Sequence, residues 1–251
     1  MREIAKGWQD FWAEFFRIKY QHLDEPAIEK EVVSHIIHTL NLRRGNRILD
    51  FACGEGSKDF ELARRGMNVV GVDIAKVLVD YGNKAAQKEN LPVKLIKRDM
   101  RDARFNEEFD ACTVVSSFGL FDDSGNLKVL QAVEKALKHG GKFYIDLMNP
   151  FTRIKEREER WEKVEDGYLL MKYNHNLVTG KMRITSLYIT KEGNLIKSKH
   201  DELVRLYTLP EMIKLIETAK LVFKGAYGSF SIPLEEYSVT SDSMIVLGEK
   251  T

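Results

Sequence analysis

The chain has 251 residues, of which 43% are hydrophobic, so it is long enough for one large domain or for one domain with an inserted lobe. Its 39 Lys and Arg residues nearly balance 38 Asp and Glu residues, and the net charge of +1 disfavours a dedicated nucleic-acid binder. No run approaches the roughly 20 apolar residues of a membrane span, and charges interrupt the apolar residues near the N-terminus. We therefore expect a cytoplasmic protein without a membrane partner.

The first 150 residues alternate between strand and helix patterns. Residues 27–40 place their apolar side chains on one helical stripe, and Gly45 follows as a break. Strands are then predicted at 47–51, 68–73, 93–99, 109–117 and 142–149, with helices between them at 58–66, 75–90 and about 126–138. We expect the Gly140-Gly141 pair to end the last of these helices. Because apolar strands alternating with helices are typical of a parallel sheet covered on both faces, we predict an open α/β sheet.

The pattern changes after Pro150. The charged segment 155–160 is mixed in sign and predicts a solvated linker or helix face. The elements predicted after it are an antiparallel meander at 168–177, 181–190 and 195–207, a helix at 209–221, and two strands at 222–228 and 243–250. The first meander strand carries His175 on its apolar face, and another part of the chain must cover that face.

Three units follow from this order. They are an N-terminal helical segment at 1–26, an α/β domain at 27–149 and 208–251, and a β lobe at 150–207 that covers the substrate site. The N-terminal segment contains the aromatic residues Trp8, Phe11, Trp12, Phe15, Phe16 and Tyr20. Two interpretations stay open for them: they pack the helix onto a sheet, or they form a lid over a ligand.

Three strand ends carry residues that suit different parts of one adenosine compound. The turn after the first sheet strand contains Gly54 and Gly56, which allow the backbone to approach a ligand at a helix start. Asp73 ends the next strand, where a carboxylate can accept hydrogen bonds from both ribose hydroxyls. The third strand ends in Asp99 and Met100, which suit an exocyclic amino group and a purine face.

The segment from Leu49 to Gly56 matches the pattern LDxxCGxG, and here the chain resembles the class I S-adenosylmethionine-dependent methyltransferases. The resemblance covers roughly residues 27–149. It implies a Rossmann-like, doubly wound and mostly parallel seven-stranded sheet with an antiparallel last strand, plus an inserted antiparallel β lobe. It also implies S-adenosylmethionine as cofactor, with S-adenosylhomocysteine as product.

The resemblance, together with the strand-end argument, assigns a set of residues to the cofactor. They are Tyr20, Asp50, Ala52, Cys53, Gly54, Gly56, Asp73, Ile74, Asp99, Met100, Ser116 and Phe118. In related enzymes an N-terminal tyrosine, here matched by Tyr20, lies over the methionine end of the cofactor. The loop 116–119 matches the segment beside the cofactor and the entry to the substrate pocket. This loop is not an Asn-Pro-Pro-Tyr motif, which disfavours methylation of base or glutamine amide nitrogens.

The expected partner is a small-molecule methyl acceptor, and the protein is expected to be a monomer or a homodimer. Transfer by direct displacement needs alignment and exclusion of water and does not require an acid or base. Two alternatives stay open. One is an NAD-dependent oxidoreductase, although Asp59 occupies the third glycine position of that fingerprint. The other is a non-catalytic regulator that binds the cofactor.

A general base, if one is used, has three candidates: His175, His200 and Asp146. Asp146 and Asn149 end the fifth sheet strand and are expected either to contact the acceptor or to act as caps. The other predictions concern His35 and His38, expected as solvated helix residues rather than metal ligands, and Cys53 and Cys112, expected as free thiols.

Overall fold

The structure is a computed structural model that describes residues 3–6, 10–13, 27–155, 159–164, 167–198 and 201–251. Tyr20, His200 and most of the aromatic N-terminal segment lie outside these residues. Within the described ranges, no helix combines the length and the apolar character that crossing a membrane requires.

A seven-stranded sheet forms the centre of the α/β part. Its strands are β2 (Arg47–Phe51), β3 (Asn68–Asp73), β4 (Val93–Lys97), β5 (Phe109–Val115), β6 (Leu137–Met148), β12 (Val222–Tyr227) and β13 (Ser243–Glu249). They lie in the order β12-β13-β6-β5-β2-β3-β4. The strands from β2 to β6 pair in parallel, and β13 is antiparallel to both of its neighbours. This topology confirms the predicted seven-stranded sheet with an antiparallel last strand.

Helices cover both faces of this sheet. The α-helices from residue 27 onward are α1 (Ala27–Leu40), α2 (Ser57–Arg64), α3 (Lys76–Lys88), α4 (Asp123–Ala136), α5 (Pro150–Arg153) and α6 (Leu209–Thr218), with a 3-10 turn at Met100–Asp102. Adjacent residues of β2 point to opposite faces: Ile48 packs with residues of α1 and α2, and Leu49 with residues of α4 and α6. Both strand faces are therefore buried, as the apolar strands predicted.

The boundaries of α4 differ from the prediction of a helix at about 126–138. The carboxylate of Asp122 accepts a hydrogen bond from the Gly125 backbone at 2.7 Å, so the helix begins three residues earlier. Its end at Ala136 is also earlier. The glycine pair lies inside β6, where Gly140 and Gly141 exchange backbone hydrogen bonds with Lys250. Here a strand pairing, and not a helix end, uses the two glycines.

A second sheet contains six strands. They are β1 (Glu3–Lys6), β7 (Glu159–Val164), β8 (Gly167–Asn176), β9 (Lys181–Thr190), β10 (Leu195–Ser198) and β11 (Glu202–Arg205). The order is β1-β10-β9-β8-β7, and β11 also pairs with β9. All pairs are antiparallel except β1 with β10. The inserted antiparallel lobe is thus confirmed, and a strand from the N-terminus extends it.

Two predictions about this sheet were wrong in detail. Residues 159–160 belong to β7 and not to a solvated linker, because β7 pairs along its length with β8. The predicted strand 195–207 is divided into β10 and β11. The apolar face of β8 is covered by Phe11, which is 1% exposed and packs with Leu169 and other residues of this sheet. The described part of the aromatic segment therefore packs on the second sheet.

His35 was expected on a solvated helix face, but its side chain is fully buried. Its Nδ1 lies 3.0 Å from the hydroxyl of Tyr144 on β6, and the rings of Tyr227 and Phe230 approach it edge-on. His38, three residues later, is exposed. Among the described residues, no three His, Cys, Asp or Glu side chains form a group that could hold a metal. His35 is therefore a core residue.

Burial of His35 predicts a loss of stability in acid. Desolvation, with a smaller effect of nearby His38, lowers its pKa from 6.5 to about 4. The unfolded chain therefore binds a proton that the folded chain does not, and the free energy of unfolding falls by up to about 3 kcal/mol as the pH drops from about 6.5 to about 4. Urea unfolding across this window should show a shallower pH slope for His35→Gln than for His38→Gln. Equal pH dependence of the free energy of unfolding in the two variants would contradict the lowered pKa of His35.

Candidate functional site

A cavity of about 400 Å³ opens at the carboxyl ends of the parallel strands. Residues that follow β2, β3, β4 and β5 form one wall, and residues of the second sheet form the opposite wall. Of the residues predicted to bind the cofactor, the cavity is lined by Ala52, Gly54, Asp73, Ile74, Asp99, Met100 and Ser116. Its position and size are typical of a small-molecule site in an open α/β sheet.

Asp73 holds the glycine loop against the end of β3. Its Oδ2 accepts a hydrogen bond from the backbone of Gly54 at 2.9 Å, and its Oδ1 accepts one from Ala75 at 2.7 Å. Burial raises the pKa of this carboxyl, while the backbone donors oppose the shift. Each carboxylate oxygen has a second lone pair, so Asp73 can accept further hydrogen bonds from hydroxyl groups of a ligand. The ribose role of Asp73 stays a prediction.

The loop backbone takes conformations that few side chains favour. Gly54 and Gly56 have φ values of 61° and 87°, and Ala52 has 58°. A Cβ at Gly54 would meet no atom within 4 Å, so this position faces open space, whereas a Cβ at Gly56 would lie 3.0 Å from Leu95. Ser116, after β5, is also left-handed at 55°. Left-handed residues other than glycine are strained, and Ala52 and Ser116 both line the cavity.

Four predicted cofactor residues do not line the cavity: Asp50, Cys53, Gly56 and Phe118. Asp50 is 2% exposed and accepts a hydrogen bond from the Thr113 hydroxyl at 2.6 Å. Cys53 packs with Val79 and Leu95 beneath the loop, and burial raises its pKa well above the usual range. Phe118 belongs to the core. These residues support the cavity wall from behind. Cys53 and Cys112 are both free, as predicted, and the structure shows that both are buried.

Asp99 already has a cationic partner. The Arg101 guanidinium donates to its Oδ2 at 2.6 Å, and the backbone of Arg101 donates to Oδ1 at 2.9 Å. The hydrogen bond from Arg101 lowers the pKa of Asp99, so this carboxylate remains ionised. Arg101 also lies 4.1 Å over the ring of Phe121, another residue of the cavity wall. An amino group that binds Asp99 would share it with Arg101.

The second sheet supplies cavity residues that the sequence did not reveal as such. They are Arg160, Met171, Tyr173, Ile184 and Glu202. The cavity is also lined by residues outside that sheet, namely Trp12, Leu120, Phe121, Met148 and Arg153. The indole Nε1 of Trp12 donates to Glu202 Oε2 at 2.8 Å. In the sequence, the only indication of these cavity residues was the apolar face predicted for β8, because Met171 and Tyr173 lie on that face. Which strand of the second sheet faces the carboxyl ends of the parallel strands depends on how two segments distant in sequence pack.

The candidates for a general base have different surroundings. Asp146 is 4% exposed, accepts a hydrogen bond from the Ser116 hydroxyl at 2.9 Å and has its pKa raised by burial, but it does not line the cavity. Asn149 caps α5 by accepting from the Phe151 backbone at 3.1 Å, which is the cap function. His175 does not line the cavity either. His200 lies outside the described residues.

Comparisons with known proteins agree with this geometry. Residues 48–141 match a family model described as a methyltransferase domain. The cypemycin N-terminal methyltransferase of a Streptomyces species is 25% identical over 212 residues, which cover 82% of this chain and 84% of that enzyme. The ubiquinone biosynthesis O-methyltransferase of Coxiella burnetii is 28% identical over 145 residues, which cover 56% of this chain and 58% of that enzyme.

Solved structures share the whole fold. An S-adenosylmethionine-dependent methyltransferase from Clostridium acetobutylicum superposes with a TM-score of 0.79 at 17% identity, covering 95% of this chain and 98% of that one. The CcbJ methyltransferase from Streptomyces caelestis also gives 0.79, at 14% identity and with 94% and 95% coverage. The methyltransferase-domain match at residues 48–141, the sequence relatives and the strand order together support a class I S-adenosylmethionine-dependent methyltransferase.

Proposed function

We propose that the enzyme methylates a small molecule by direct displacement, mainly by aligning the acceptor and excluding water. The observation that carries this proposal is the shape of the cavity, which has a volume of about 400 Å³ and lies between the cofactor edge of one sheet and the face of another. Such a space suits a cofactor end and a small acceptor. Two relatives, named as a cypemycin N-terminal methyltransferase and a ubiquinone biosynthesis O-methyltransferase, support an acceptor that is not a nucleic acid.

We assign the cofactor to the strand-end side of the cavity. When bound there, S-adenosylmethionine supplies an activated methyl group on a sulfonium. Asp73 is assigned to the ribose, Asp99 and Met100 to the adenine, and Gly54 and Ser116 to the methionine part. The remaining predicted cofactor residues, Asp50, Ala52, Cys53, Gly56, Ile74 and Phe118, hold or border this wall. Tyr20 keeps its predicted role as part of an N-terminal lid, and the cavity contact of Trp12 in the same segment supports that role.

In this proposal the two sheets have different roles, one binding the acceptor and the other the donor. The segment 150–207, with β7, β8 and β9, provides the acceptor wall, and the α/β part provides the donor wall. Cover from both sides keeps water from the reacting atoms and fixes their approach, which is the main requirement of a displacement on an activated donor. Neither a nucleic acid nor a membrane is required as partner. The expected state is a monomer or homodimer.

Transfer of a labelled methyl group tests the acceptor class. The purified enzyme is incubated with methyl-labelled S-adenosylmethionine and with a fractionated cell extract. We expect the label in the fraction of low molecular mass, since the cavity is enclosed on two sides. Label recovered mainly in nucleic acid or in intact large proteins would contradict the proposal. Heat-denatured enzyme serves as the control for spontaneous methylation.

A further inference from the structure

Glu202 is the one carboxylate that the second sheet contributes to the described cavity wall. It lies on β11 opposite Ile184 of β9, and Ile184 lies opposite Tyr173 of β8. All three residues line the cavity. Because residues directly opposite each other across strands project to the same face, this row turns the carboxylate towards the acceptor space.

Among the described residues, one oxygen of Glu202 has a hydrogen-bond donor and the other has none. Oε2 accepts from the Trp12 indole at 2.8 Å. In the part of the chain that the structure describes, no donor is bonded to Oε1. Burial raises the pKa of this carboxyl, and the indole donor opposes the shift. A partly buried carboxylate with an open oxygen is satisfied best by a cationic donor, and a raised pKa makes it a better proton acceptor.

The distribution of charge decides where a cation would bind. Two arginines, Arg153 and Arg160, also line the acceptor side. Arg160 is on β7, three strands away from β11 in the order β11-β9-β8-β7, which corresponds to about 14 Å. A cation is repelled by Arg160 and attracted to Glu202. The aromatic side chains of Trp12 and Tyr173 at the same end also favour a cation.

From this arrangement we infer that the acceptor is an amine and that Glu202 binds its nitrogen and removes its proton. This inference rests on the proposed function. The amine enters as an ammonium ion, hydrogen-bonds to Oε1 of Glu202 and transfers one proton to it. The freed nitrogen lone pair then forms the bond to the methyl carbon as the methyl–sulfur bond breaks, and that bond's electron pair stays on sulfur. The products are a methylammonium ion and a neutral thioether, and Glu202 returns its proton to water.

A hydroxyl acceptor does not fit this site as well. An alcohol brings no positive charge to offset burial of the carboxylate, and it is too weak an acid to give its proton to a carboxylate. The matched probes are therefore 2-phenylethylamine and 2-phenylethanol, which share an apolar body suited to Met171, Tyr173 and Ile184. They differ only in the group that Glu202 would contact.

The test measures binding of both probes to the full-length enzyme saturated with S-adenosylhomocysteine, and then methyl transfer to them. We expect the amine to bind about 10- to 100-fold more tightly than the alcohol, as a charge-assisted hydrogen bond predicts. Glu202→Gln, which keeps an acceptor oxygen for Trp12, should remove this preference and the transfer to amine. Glu159→Gln, an exposed residue of β7 paired with Lys172, should change neither.

Two sets of results separate the inference from the proposed function. Failure of the wild-type enzyme to bind S-adenosylmethionine would overturn the proposed function itself. Normal donor binding with equal or undetectable affinity for the two probes, or an amine preference that survives in Glu202→Gln, would overturn the inference alone. Calorimetric binding of S-adenosylhomocysteine to Glu202→Gln at the wild-type affinity confirms that the variant is folded and that its donor wall is intact.

Discussion

Replacing Asp73 by alanine is expected to weaken S-adenosylmethionine binding by at least about 100-fold. The carboxylate accepts backbone hydrogen bonds from Gly54 at 2.9 Å and Ala75 at 2.7 Å, and it lines the cavity. Its removal takes away the predicted acceptor for the ribose hydroxyls. It also releases the glycine loop from the end of β3, so the donor wall loses both a contact and its support.

Isothermal titration calorimetry with S-adenosylmethionine, S-adenosylhomocysteine and NAD measures this effect. Asp80→Ala is the matched control, because Asp80 is an exposed helix residue that pairs with Lys76 outside the cavity. We expect wild-type affinities for the sulfur compounds in that variant. Unchanged binding of S-adenosylmethionine by Asp73→Ala would contradict the ribose role of Asp73. Binding of NAD in place of the sulfur compounds by the wild-type enzyme would contradict the assigned cofactor. A thermal melt of Asp73→Ala verifies that the variant folds.

The second large effect is expected from Gly82→Ala in α3. A Cβ at this position would overlap the backbone carbonyl oxygen of Glu55 and a methyl group of Leu95. Alanine favours a helix over glycine by about 1 kcal/mol, but an overlap with backbone costs about 1–3 kcal/mol or more. We expect the cost of the overlap to exceed the gain in helix propensity. The free energy of unfolding therefore falls, and the displaced loop weakens binding of S-adenosylmethionine.

Gly225→Ala is the control for this prediction, since its Cβ would meet only Tyr227 side-chain atoms at 3.9 Å and beyond. Urea unfolding and calorimetry of both variants give the stability and the affinity. A Gly82→Ala variant that is more stable than the wild type would show that helix propensity dominates, and that α3 and the loop separate without cost. Equal donor affinity in the two variants would show that Gly82 does not position the loop.

The sequence predicted those parts of the site that depend on local pattern. Periodicity separates strand from helix through residue 149, and parallel strands bring their carboxyl ends to one edge whatever the details of packing. Gly54, Asp73 and Asp99 each lie at or just after the carboxyl end of a strand, so their common edge was predictable. The side-chain contacts behind that edge could not be predicted from the sequence. Asp50, Cys53 and Phe118 also follow or precede strand ends, and only packing shows that they lie behind the cavity wall.

The burial of polar side chains could also not be predicted from the sequence. His35 shares a helix with the exposed His38, and the difference between them depends on Tyr144, which is more than 100 residues away. The start of α4 depends on the cap formed by Asp122, and the glycines after the helix serve a strand pairing with Lys250. Helix ends and caps involve one or two atoms, so a periodic pattern does not locate them.

The amino-acid sequence by itself determined the class of fold, the order of elements in the seven-stranded sheet and the cavity wall at its strand ends, because these follow from periodicity and from a motif confined to a few adjacent residues. The tertiary structure decided the acceptor side. Glu202 faces the cavity because β11 pairs with β9 at Ile184, and Trp12 reaches it across 190 positions of sequence. Side chains that meet across strands from distant segments depend on register and sheet packing, which no local pattern specifies.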